Sequence, residues 1–184
     1  MSGFEYVPRI VDAELFAALK RAGAVLIEGP RACGKTETAL QIANSVVRID
    51  REPGFLDLLG IDPQLGLQGE VPRLFDEWQL APQLWNIVRG EVDARKQKGQ
   101  FILTGSTAPA LDAKRHTGAG RFARLKMRTM TLSETGHSTN ETSFVDLLAG
   151  DSSRTTDPGF SYRDLVTRIV VGGWPGFQDL DAAQ

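Results

Sequence analysis

The residues GPRACGKT, Gly29 to Thr36, fulfil the spacing G-x-x-x-x-G-K-[ST] in full. Two glycines let the backbone curl until successive N–H groups point inward, and the helix that follows adds its positive N-terminal end. Together they form a cradle for a polyphosphate. Lys35 has the reach to meet β- and γ-phosphate oxygens, and the Thr36 hydroxyl suits Mg²⁺. The nucleotide-contacting set read here is Gly29, Pro30, Arg31, Ala32, Cys33, Gly34, Lys35, Thr36 and Glu37.

Such a loop needs a second carboxylate on a neighbouring strand. RLFDEWQ supplies it: Asp76 follows two apolar residues and can accept from magnesium-bound water. Glu77, next along, is placed to orient and deprotonate an attacking water. A further apolar run ends LTGS, where a hydroxyl, Ser106 or Thr104, is in place to touch the γ-phosphate or that water. Each also fits as a plain turn cap, and Ser106 is the preferred sensor. The guanine reader N-K-x-D of GTPases is absent, and DLLG at Asp57–Gly60 precedes the acidic strand and reads as helix.

The elements that must position these groups follow from periodicity. Ile10 onward reads as a helix with Leu15, Phe16, Leu19 and Ala22 inward, ending near Gly23. AVLIEG is a short apolar run of the kind a buried parallel strand shows. A helix from Thr36, a strand at Val46–Asp50, a third strand from Arg73 to Gln79, a helix around Leu84–Val92, a fourth strand at Gln100–Ser106 and a fifth at Phe122–Leu132 complete the alternation. Strands alternating with helices predict an α/β fold with a parallel sheet covered on both faces. An extra strand lies between the loop-bearing strand and the acidic one, as in phosphate-loop ATPases that carry a catalytic Glu.

With 184 residues the chain can bury a real core, and its formal net charge of −2 gives no global attraction to nucleic acid. Lys114 to Arg128 is locally basic and reads either as a solvated face or as a phosphate contact. Nucleic acid is therefore a weakly supported partner. No run approaches a membrane span, no signal peptide is visible, and the single cysteine, Cys33, points to a reduced, cytoplasmic setting. His116 and His137 lack companions at ligand spacing.

GPRACGKT, RLFDEWQ, FILTGSTAP, GAGRF and LSE, in this order, resemble the AAA+ superfamily. More narrowly they resemble a prokaryotic group of ATPases of unassigned role whose members usually continue into a C-terminal domain with a nuclease-like fold. The resemblance implies a P-loop NTPase three-layer sandwich with a five-stranded parallel sheet in the order 5-1-4-3-2. It implies an ATP-binding core at residues 1–134, and at 135–184 the start of a helical lid or linker toward a domain absent here. It implies ATP or ADP with Mg²⁺ held by Lys35, Thr36 and Asp76, with Glu77 as base and Ser106 as sensor. Arg121, in GAGRF, is the implied arginine finger reaching a neighbouring subunit, with Arg124 as fallback, so a homo-oligomer is expected. Arg9 and Ile10, ahead of the first helix, are implied to touch the adenine. An unidentified protein partner is expected to receive the resulting conformational change. A P-loop small-molecule kinase and a scaffold with little turnover are the alternatives.

Overall fold

The structure is a computed structural model, and it describes residues 5–105, 118–151, 155–157 and 159–178. The larger of two compact units runs from Arg9 to Arg128. Helix α1 (Ile10–Arg21) leads to strand β1 (Ala24–Glu28), then α2 (Lys35–Leu40) and β2 (Ser45–Arg48). Two helices, α3 (Pro53–Ile61) and α4 (Pro63–Gly66), precede β3 (Arg73–Asp76). After α5 (Leu84–Arg95) come β4 (Phe101–Gly105) and β5 (Phe122–Lys126).

All strand pairs are parallel, and the order is β2-β3-β4-β1-β5, the expected 5-1-4-3-2 read from its other edge. β1 is flanked by β4 and β5, and its first four residues are buried, as a strand covered on both faces must be. Parallel pairing also brings the carboxyl ends of β1, β3 and β4 to one edge of the sheet. Such edges are where open α/β sheets bind ligands.

One face of the sheet packs Ala24, Leu26, Phe75, Phe101 and Leu103 against Phe55, Leu59, Trp78, Trp85, Val88 and Val92. Within this layer Trp78 and Trp85 have ring centroids 5.5 Å apart, and Trp85 stacks on Phe122 at 4.0 Å. The aromatic row ties the turn after β3 to β5. The alternate residues Val25, Ile27, Leu74 and Ile102 face the other way and are equally buried.

Three boundaries differ from the sequence reading. β3 stops at Asp76 rather than Gln79, because Glu77 adopts a left-handed conformation (φ 56°, ψ 41°) and Trp78–Leu80 forms a 3₁₀ turn. β5 ends at Lys126, not Leu132, because beyond it only Met127 still bonds to β1, donating its N–H to the Glu28 carbonyl at 2.7 Å. Phe16 is 53% exposed, since Val11, Leu15, Ala18 and Leu19 already make up the buried stripe of α1. Lys20 Nζ sits over the Phe16 ring, 4.0 Å from its centroid.

The second unit comprises Met1–Pro8 with Thr129–Gln184. It contains α6 (Phe144–Leu148) and α7 (Tyr162–Val171), and α7 opens with a reciprocal Ser161–Asp164 capping box. Met130 donates its N–H to the Gly173 carbonyl at 2.6 Å, and a side chain at Gly173 would collide with the Met130 backbone. Among the described residues no helix is long and apolar enough to cross a membrane.

Trp85 is 2% exposed and contacts both Trp78 and Phe122. Trp85→Ala is expected to lower unfolding free energy by about 3–5 kcal/mol, read from urea denaturation of the purified chain.

Candidate nucleotide site

The loop after β1 is shaped by its neighbours. A side chain at Gly29 would collide with the Met127 carbonyl, so glycine is required where the chain leaves the sheet. Ala32 (φ 60°) and Gly34 (φ 102°) both take left-handed conformations, which curl the loop back on itself. Cys33 is fully buried beneath the curl. Among the described residues, the backbone N–H groups from Ala32 through Glu37 donate to no protein acceptor. A run of unpaired amides at a helix start, closed over a buried residue, is a nest for an anion.

Lys35 crosses this nest. Its Nζ donates to the carbonyls of Gly29 (3.0 Å) and Pro30 (2.7 Å), so the ammonium is held at the loop mouth by neutral acceptors. Arg9 braces the same loop from outside. Its guanidinium donates to the Cys33 carbonyl at 2.8 Å and to the Arg128 carbonyl at 2.9 Å, and the residue is 8% exposed. These bonds place Arg9 as a clamp between the loop and the chain after β5. Ile10 is 57% exposed on the first turn of α1.

Asp76 ends β3 and is 7% exposed. Its Oδ1 accepts from Thr36 Oγ1 at 2.9 Å and from Thr104 Oγ1 at 2.5 Å. The two hydroxyls come from α2 and β4, 40 and 28 residues away in sequence. Thr104 is wholly buried, and the register sets it directly beside Asp76. Its hydroxyl thus holds the acidic carboxylate. Ser106, the preferred sensor, lies outside the described residues, as does His116.

The left-handed turn at Glu77 directs its carboxylate to Gln79, whose Nε2 donates to Glu77 Oε2. Sequence reading passed over Gln79. The only local signal is the spacing of two from Glu77, which an extended strand through Gln79 would also give.

Arg121 is not at this edge. Its carbonyl accepts from the Ala24 N–H, and Phe122 pairs in register with Ala24, at the amino end of β1. The phosphate loop leaves β1 at the opposite end, after Glu28, a strand length of roughly 13–16 Å away at about 3.3 Å per residue. Arg121 Nε donates to Asp93 Oδ1 at 2.8 Å, and this bond holds the Asp93 carboxyl below its ordinary range while raising Arg121. The pair borders a cavity of about 370 Å³ that also reaches Lys96 and Lys98. Arg124 stands midway along β5, 3.7 Å from Glu28 and over the Trp85 ring. The two fingers weighed from sequence therefore both face acids.

The family comparison agrees with this architecture. The family described as AAA domain matches residues 21–136, more than half of the chain. The chain belongs to the AAA domain family. It has the fold and loop of an AAA+ P-loop ATPase. Over 162 residues it is 28% identical to an uncharacterized protein, Mb2031c, of Mycobacterium bovis, and equally to Rv2008c of Mycobacterium tuberculosis. Each match covers 85% of this chain and 37% of the relative, so the chain spans little more than a third of their length. Among solved structures it is similar to C. elegans PCH-2, at 14% identity and a TM-score of 0.43 over 89% of this chain and 56% of that one. It is also similar to the FIGL-1 AAA domain in complex with ADP, at 15% identity and a TM-score of 0.41 over 85% and 64% respectively.

Removing the Arg9 clamp leaves two carbonyls without their cationic donor. Arg9→Met is expected to destabilise the chain by about 1.5–3 kcal/mol in urea denaturation, with the main secondary-structure signal retained.

Proposed function

We propose that this chain binds ATP with Mg²⁺ at the loop 29–37 and hydrolyses it in an assembly of identical subunits. The observation that carries the reading is the meeting of Thr36 and Asp76 at 2.9 Å, beside a run of unpaired loop amides. A hydroxyl and a carboxylate sharing one spot form the oxygen donor set that Mg²⁺ takes in nucleotide sites. Thr36 and Asp76 would hold the ion, directly or through water. Bound with the nucleotide, Mg²⁺ supplies neutralisation of the charge on the β- and γ-phosphates.

The chain's own residues do the rest. Phosphate oxygens take the loop N–H groups, and Lys35 exchanges the carbonyls of Gly29 and Pro30 for the β- and γ-phosphates. Glu77 accepts a proton from a water whose oxygen forms a bond to the γ-phosphorus. The bond from that phosphorus to the bridging oxygen breaks, releasing ADP, and the proton passes on to phosphate. Thr104 keeps Asp76 fixed throughout.

Because Arg121 lies a strand length from its own loop, it serves as a finger only toward another subunit. Its exposed place at the amino edge of β1 and β5 suits that role. The cycle then drives a conformational switch passed to a protein partner, and the lone buried thiol accords with a cytoplasmic setting. Adjacent Asp76 and Glu77 favour water as the acceptor over a small molecule.

Phosphate release per subunit, measured against protein concentration, tests this reading. Glu77→Gln is expected to keep nucleotide binding while lowering kcat by about 10²- to 10⁴-fold. Arg121→Ala is expected to lose about 10³- to 10⁵-fold, and activity should return on mixing it with Glu77→Gln, since a mixed interface pairs an intact Glu77 with an intact Arg121. A specific rate independent of concentration, with no recovery on mixing, would rule out shared sites.

A further inference from the structure

Glu77 has a partner that neither the motif nor the fold requires. Among the described residues, Gln79 is the sole side chain hydrogen-bonded to the Glu77 carboxylate. The amide must face it through Nε2, because turning the amide over would set two acceptors against each other. Gln79 Oε1 is thereby buried with no hydrogen-bond partner. It lies beside Gly105, where a Cβ would crowd this oxygen and come within 3.0 Å of the Trp78 indole nitrogen. Glu77 itself has a left-handed backbone that non-glycine residues rarely take. A strained residue, an orphaned buried acceptor and a glycine that makes room for it therefore converge on one hydrogen bond. Strain of this kind collects where geometry serves function.

We propose that Gln79 is the positioning residue of the water-activating carboxylate, an inference that rests on the reading of Glu77 as the base. One Glu77 oxygen takes the amide N–H, and the other keeps its lone pairs for water. Trp78, 1% exposed and packed on Trp85, anchors the 3₁₀ turn that carries Glu77 and Gln79 on either side of it. Gly105 follows Thr104 in β4, so Gln79 also lies near the Thr104–Asp76 pair. A glutamate left to rotate freely would reach the attacking position only part of the time. Small misplacements of a reacting group cost up to about 10²-fold in rate.

The test uses the 184-residue chain with Gln79→Met, which keeps length and packing but removes the N–H donor, and Gln79→Glu, which sets a second carboxylate against Glu77. Both are expected to lower kcat by about 10- to 100-fold with KM for ATP and ADP affinity within about twofold of wild type. In a Glu77→Gln background, Gln79→Met should have no further effect on the residual rate. That non-additivity is a signature that a purely structural role would not give. Unchanged or raised kcat in Gln79→Met, or a kcat loss matched by an equal loss of ADP affinity, overturns the proposal and leaves Glu77-dependent hydrolysis standing. Wild-type hydrolysis that Glu77→Gln does not diminish overturns the reading of Glu77, and this proposal with it.

Discussion

The Asp76 carboxylate, held between two threonine hydroxyls, is the constraint on which the loop edge of the sheet depends. A carboxylate 7% exposed carries a desolvation cost that hydrogen bonds must offset. Thr104 supplies one from the adjacent strand and Thr36 the other from the helix that closes the phosphate loop. The same two bonds lock three chain segments, far apart in sequence, into one arrangement. The loop mouth, with Lys35 across it, therefore has a fixed acidic wall.

Around that point the packing leaves little freedom. β1 runs between β4 and β5, and the close approach of Met127 to Gly29 dictates where the loop begins. Arg9 joins the loop to the chain after β5, so the loop is braced at its back as well as its front. On the other side of β3, the row Trp78, Trp85 and Phe122 fixes the turn that presents Glu77. Burying one of the largest side chains immediately after the acid pair forces the strand to end there. The turn, and with it the Glu77–Gln79 contact, is a packing consequence with a chemical use.

The loop, its lysine and threonine, and the acidic strand were legible in sequence because each motif is contiguous and its spacing alone constrains the chemistry. The parallel sheet was legible from strands alternating with helices, and its strand order through the resemblance. The end of β3 was not, since nothing in RLFDEWQ marks a turn after Asp76, and only the distant Trp85 and Phe122 reveal why Trp78 turns inward. Phe16 fell at helical spacing yet faces solvent, because the stripe that α1 needs is narrower than its apolar content. Arg9 was read toward the adenine on resemblance. No local pattern signals that its side chain folds back onto a carbonyl 24 residues ahead. Thr104 and Ser106 stay open as alternatives in the sequence, because composition does not say that strand register sets the Thr104 hydroxyl on Asp76.

The central claim is that loop and acid together form one magnesium–nucleotide site, and calorimetric titration of ATP and ADP, with and without Mg²⁺, tests it most directly. The account predicts that ATP binds markedly tighter with Mg²⁺ than without it, and that Thr36→Val removes most of this magnesium dependence. Lys35→Ala should weaken both nucleotides by about 10- to 100-fold or more. ATP affinity indifferent to Mg²⁺ in the wild type, or undiminished in Lys35→Ala, would contradict it.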